Sequence, residues 1–162
     1  FKARSTIVAT ELPVEASNHL HQLPPSFAKF LVDVPESGKS KLLQGYSFAK
    51  EQDYTAAISA YNQVLDQTQG YQISVLTHLL LGDTYVKNNQ YPQALASYNK
   101  FIQFMPRAGY AYYQRGLIQI ALGNKQAALV DFSQAVEIFQ QQERTEDSQK
   151  LIRKIEDLKR RI

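Results

Sequence analysis

Three times along this chain, an apolar helical pattern carrying a glycine leads through a short turn into Tyr or Lys, then Ala, then an aromatic residue. The copies read Gly45…Phe48…Tyr54…Ala57…Tyr61, Gly82…Tyr85…Tyr91…Ala94…Tyr98 and Gly116…Gln119…Lys125…Ala128…Phe132. The glycines are 37 and 34 residues apart. Repetition at this period predicts helical hairpins, each unable to bury its apolar face alone and therefore stacked on its neighbours. Such an array offers a recognition surface rather than an enclosed catalytic pocket.

The 162 residues are 44% hydrophobic and 20% charged, enough for one domain with a real core and too apolar for wholesale disorder. No apolar run approaches the roughly 18 residues that a membrane span needs. With no cysteine there are no disulfides, no thiolate chemistry and no Cys-ligated zinc. The net charge of +3 is spread along the chain, without the single-sign block that commits a protein to nucleic acid. The chain opens on Phe1 rather than Met. This fits a processed or excised form whose upstream signal or anchor is missing. The compartment itself is left open by the sequence: a soluble, cytoplasmic protein is expected, or one peripheral to a membrane, with membrane contact only through a partner or that missing segment.

Residues 1–36 read as an arm. Phe1–Val14 shows no sustained helical period, Pro24-Pro25 interrupts the chain, and Ser26–Val32 predicts a short helix capped by Ser26 and ended by Pro35. The repeats occupy residues 37–141, as hairpins over about 38–71, 75–108 and 109–142. Leu42, Leu43, Tyr46 and Ala49 recur at helical spacing in the first. Asp53 is placed to cap its return helix, and Pro92 falls where a first-turn proline costs nothing. Gln52, Asn89 and Gly123 hold equivalent turn places, where a left-handed residue often ends a helix. Gly45, Gly82 and Gly116 are expected to face Ala57, Ala94 and Ala128 across each hairpin, with Tyr61, Tyr98 and Phe132 filling the gap to the next. Residues 143–162 predict a closing helix, apolar at Leu151, Ile152, Ile155, Leu158 and Ile162, that covers the end of the stack.

Over about residues 38–141 the chain resembles the tetratricopeptide repeat family. Leu81-Gly82, Tyr85, Tyr91, Ala94, Tyr98 and Pro106 in the middle repeat nearly complete that family's pattern. The first repeat departs at Gln69, with three extra residues in Asp66–Ser74, and the third at Gln119, Lys125 and Gln140. The resemblance implies an all-α fold, a right-handed α-solenoid of antiparallel helix pairs, and a groove lined by the first helix of each pair. Carried over residue by residue, the groove comprises Lys39, Leu42, Tyr46, Ala49 and Lys50, then Leu76, Leu79, Asp83, Val86 and Lys87, then Tyr110, Tyr113, Leu117, Ile120 and Ala121. Family members that grip chaperone C-termini use a Lys/Asn/Arg clamp. The corresponding places here hold Leu42, Tyr46, Leu80, Tyr110 and Gln114, so that ligand is disfavoured.

Chemistry-bearing patterns are sparse. His19 and His21 lack a third ligand, His78 reads as a packing or surface residue rather than a general base, and no nucleophile elbow, phosphate loop or dinucleotide fingerprint is present. No catalytic residue, cofactor, metal or small-molecule substrate is expected. The expected function is a non-catalytic interaction module that holds a partner peptide or helix in an apolar, tyrosine-rich trough edged by Lys39, Lys50 and Lys87, with Tyr46, Leu79, Tyr110, Tyr113 and Leu117 as anchors. One alternative is an architectural or assembly-factor subunit of a larger complex, since the glutamine-rich repeats resemble cyanobacterial members that help assemble photosynthetic membrane complexes. Another is anion or nucleic-acid binding through Lys150, Arg153, Lys154, Lys159, Arg160 and Arg161, against which Glu146, Asp147, Glu156 and Asp157 are interleaved. A further expectation is that Phe27, Phe30, Leu31 and Val32 of the arm pack on the first hairpin.

Overall fold

A computed structural model describes residues 30–161, and these contain seven α-helices and no strand. They are α1 (Glu36–Lys50), α2 (Tyr54–Gln67), α3 (Tyr71–Lys87), α4 (Tyr91–Phe104), α5 (Gly109–Ala121), α6 (Lys125–Gln141) and α7 (Thr145–Arg160). The readings made for Phe1–Val14, Pro24-Pro25, Ser26, Phe27, the His19/His21 pair and Ile162 fall outside the described residues. Each helix packs on its neighbours in sequence, and α1 also touches α3. The result is a solenoid of three antiparallel pairs with α7 packed on α6, the odd-numbered helices lying along one face.

The turns inside the pairs, and the one between α6 and α7, share one geometry. Gln52, Asn89, Gly123 and Glu143 all have positive φ, between 57° and 81°. At each, two backbone bonds close a Schellman motif: Asp53 N–H donates to Phe48 C=O while Gln52 N–H donates to Ala49 C=O, and the pattern recurs at Gln90, Asn124 and Arg144. Asp53 then caps α2, its carboxylate accepting from Ala56 N–H at 3.1 Å. Pro92 lies in the first turn of α4, where its missing donor leaves no bond unmade. Helix α3 begins four residues ahead of the start read at residue 75. Tyr71 pins that added turn, donating from its hydroxyl to Phe104 C=O at 2.8 Å and setting its ring edge-on to Phe104.

The helix pairs are held together differently from the sequence expectation. A Cβ on Gly45 would come within 2.7 Å of the Tyr61 ring, and one on Gly82 within 2.8 Å of Tyr98; on Gly116 it would collide with Phe132. The aromatic residue, rather than Ala57, Ala94 or Ala128, is thus what lies nearest each glycine. Tyr61 and Tyr98 also reach the following hairpin as expected, Tyr61 toward Thr84 and Tyr98 toward Tyr110. The alanines are fully buried beside these rings. Pro106, by contrast, is exposed beyond α4, and its carbonyl accepts from the Tyr112 hydroxyl at 3.1 Å.

One buried ion pair adds to this packing. Arg115 on α5 grips Asp131 on α6 with two bonds, Nε to Oδ2 at 2.9 Å and Nη2 to Oδ1 at 2.6 Å, and donates a third to Asn99 on α4. Its guanidinium also lies over the Tyr112 ring. Asp131 is only 4% exposed, so removing this partner would leave a buried carboxylate without its cation. At the two ends of the array, Phe30 and Val34 are buried in the first core while Val32 is 54% exposed, and Leu151 and Ile155 of α7 cover Phe132, Ala135 and Phe139 of α6.

Gly116→Ala is expected to lower stability by about 1–3 kcal/mol in urea unfolding. Adding Phe132→Leu should cost less in that background than in the wild type, because the two changes share one contact. Arg115→Ala is expected to cost about 3 kcal/mol by stranding Asp131, and the pair Arg115→Met with Asp131→Leu should unfold at a denaturant concentration close to that of the wild type.

Candidate functional site

Hollows with different chemistry lie along the face of odd-numbered helices. Between α1 and α3 lies a small cavity of about 150 Å³, bounded by Tyr46, Lys50, Tyr61, Asp83 and Lys87 among others. Between α5 and α7 lie two more, of about 240 Å³ and 270 Å³. Tyr110, Tyr113, Phe139 and Leu151 line the first, and Leu117, Ile120, Phe132 and Leu158 the second, with Lys154 bordering both.

This geometry redistributes the residues read as groove-lining. Leu42, Leu76 and Leu79 are at most 1% exposed and belong to the core, and Tyr46 is 3% exposed at the wall of the first cavity. Leu79 and Tyr46 therefore offer a partner no free apolar surface, contrary to the expectation that they serve as anchors. Lys39 borders a separate hollow with Leu31, Leu43 and Phe48 and pairs with Glu36 at 3.1 Å, which removes it from the rim. Lys50 and Lys87 do border the α1–α3 cavity, and Val86 is half-buried. Tyr110, Tyr113, Leu117 and Ile120 remain partly open to solvent along one side of α5. Tyr113 leans on the Phe132 ring, with centroids 5.9 Å apart, so its position is fixed from below.

A polar chain runs across the same face from α3 to α5. Gln114 Nε2 donates to the Tyr110 hydroxyl at 2.7 Å, Tyr110 is in hydrogen-bond contact with Tyr98, and the Tyr98 hydroxyl donates to Asp83 Oδ1. Asp83 as a residue is half-buried, but its Oδ2 is closed to solvent and has no hydrogen-bond partner among the described residues. Burial pushes this carboxyl up from 3.8 to about 6, against the opposing pull of the Tyr98 bond and of Lys87. Burial likewise holds the Tyr61, Tyr98 and Tyr110 phenols above their ordinary range, with the Asp83 charge acting in the same direction. The role of Asp83 in this chain was not evident from sequence, where it was only one polar position in an apolar helix.

Other polar groups do not assemble into a reactive centre. His78 stacks on Phe104 and has a buried, unpartnered Nδ1; burial first, then Lys100, lowers its pKa. No cluster of His, Cys, Asp and Glu that could hold a metal occurs among the described residues. On α7, Lys150 pairs with Glu146 at 2.6 Å and Arg160 with Asp157 at 3.6 Å, so part of its positive charge is met within the helix. None of the described helices is long and apolar enough to cross a membrane.

Known proteins bear on the same fold. The tetratricopeptide repeat profile matches residues 79–144, and a second profile of the same repeat matches residues 40–67, together more than half of the chain. The chain belongs to the tetratricopeptide repeat family. Among solved structures it is similar to the C-terminal TPR-containing domain of an FK506-binding protein from Plasmodium falciparum, at 17% identity and a TM-score of 0.60 over 88% of this chain and 99% of that one. At that identity the likeness speaks for the TPR fold alone. No curated protein matches the chain. TPR repeats generally mediate protein–protein interaction, and the family is typically non-catalytic.

The raised Asp83 sets a pH dependence. The folded TPR array holds this proton up to about pH 6, whereas the unfolded chain releases it near 3.8. The resulting stabilisation is full below about pH 4 and is lost as pH rises through about 6, amounting to at most about 3 kcal/mol. Melting temperature measured from pH 4 to pH 7 should show this slope in the wild type. In Asp83→Asn, which can still accept from Tyr98, the component from this site should disappear.

Proposed function

We propose that this TPR protein is a non-catalytic module that holds a protein partner on its odd-helix face, chiefly on the half formed by α5 and α7. The observation that carries the reading is the row Tyr110, Tyr113, Leu117 and Ile120. These side chains border two adjoining hollows and keep solvent-facing surface, while the corresponding α1 and α3 positions Leu42, Leu76 and Leu79 are spent on the core. Apolar and tyrosine surface in a concave setting is what partner segments bury, and Tyr adds a polar tip that fixes orientation. The absence of the Lys/Asn/Arg set at Leu42, Tyr46, Leu80, Tyr110 and Gln114 argues against a chaperone-tail ligand.

Affinity capture from the native organism, with wild-type protein and Tyr113→Ala side by side, tests this. Partners held by the trough should be depleted from the variant, and for a purified partner the affinity should fall by at least about 1 kcal/mol, roughly fivefold. Circular dichroism establishes that the variant keeps its helices. Equal capture and equal affinity would overturn the assignment to this face.

A further inference from the structure

The two α5–α7 hollows meet at one side chain, Lys154, which borders both. Around them, Arg144 is tied to Asp147 at 2.7 Å and stacked on Phe139, Lys150 is met by Glu146, and Asp157 is met by Arg160. Lys154 has no ion-pair partner among the described residues, and Arg161 at the lower hollow has none either. The α5 wall brings only the uncharged Tyr110, Tyr113, Leu117 and Ile120. The trough is therefore apolar on one side and carries uncompensated positive charge on the other, with a cation at the junction of two apolar recesses.

Resting on the proposed use of this face, we infer that the occupant is an acidic amphipathic helix of a partner protein. Two of its apolar side chains enter the recesses, and an Asp or Glu between them meets Lys154. The spacing follows from α5 itself. Tyr113 and Ile120 are seven residues apart, and at about 1.5 Å rise per residue the recesses lie about 10 Å apart along the helix. On an occupant helix running alongside, that separation corresponds to anchors at i and i+7, and the carboxylate belongs at i+3 or i+4, on the same face. Helix α7 thus has two duties: Leu151 and Ile155 cover the core, and Lys154 sets the charge of the trough.

The test uses two synthetic helical peptides that differ at one position. Both carry Leu at i and i+7; one has Glu at i+4 and the other Lys. Fluorescence anisotropy on the full chain should show the Glu peptide binding about tenfold tighter, with Lys154→Glu reversing the order and Tyr113→Ala weakening both. Lys154 is exposed, so its replacement leaves the core intact. Equal affinity for the two peptides, unchanged by Lys154→Glu, would overturn the acidic occupant while leaving the apolar trough standing. Binding indifferent to Tyr113→Ala would remove the trough as well. Failure of both peptides to bind, or self-association of the chain that Lys154→Glu abolishes, would also overturn the inference, the latter by placing a second copy there.

Discussion

Everything in this array depends on how closely two helices can approach inside each pair. The approach is set by a glycine on the first helix seated against an aromatic ring on the second, 16 residues later in every pair: Gly45 with Tyr61, Gly82 with Tyr98, Gly116 with Phe132. A ring needs that much room, and only a residue without Cβ leaves it. The ring in turn blocks water from the hairpin interior, so one contact both spaces the helices and seals them. The Schellman turns that follow hold the register in which glycine and ring meet.

The same register explains polar features that otherwise look unrelated. Arg115 and Asp131 are also 16 residues apart, one place before the Gly116–Phe132 contact, and Asp83 sits one place after Gly82, which brings its carboxylate to the Tyr98 hydroxyl. Polar groups are thus threaded along the rims of the aromatic contacts, where bonds can be made without opening the core. Asp83 is the incomplete member. Its Oδ2 lacks a bond, and the protonated form relieves the cost of burying that oxygen.

Much of the fold was written in local chemistry. Asp53, Pro92 and the left-handed places at Asn89 and Gly123 mark helix ends through their own backbone or side-chain preferences, and these marks do not depend on what lies across the molecule. Gln52 and Glu143 take the same left-handed turn without such a preference, so only the repeat register of the first pointed to it and nothing local marked the second. The apolar stripe of the last helix was equally plain, because charge surrounds it on the remaining sides. Partner identity across a pair was less plain. Alanine and aromatic recur in step, and spacing alone does not say which of them meets the glycine. The trough was the least legible part. Helix α3 is apolar nearly all round, with nine buried positions, so no polar side in the sequence separates Leu76 and Leu79 from residues that face an opening. The joint role of Lys154 was hidden for a related reason: it faces a hollow whose other wall is 37 to 41 residues upstream, at Tyr113 and Leu117.

Helix α7 belongs to two structures at once. By lying on α6 and also walling the hollows beside α5, it joins the packing of the third pair to one side of the trough. A hairpin inserted between α6 and α7 would carry this wall away from α5. The trough is therefore sensitive to an insertion at that junction, whereas one placed upstream of the third pair leaves both of its walls where they are.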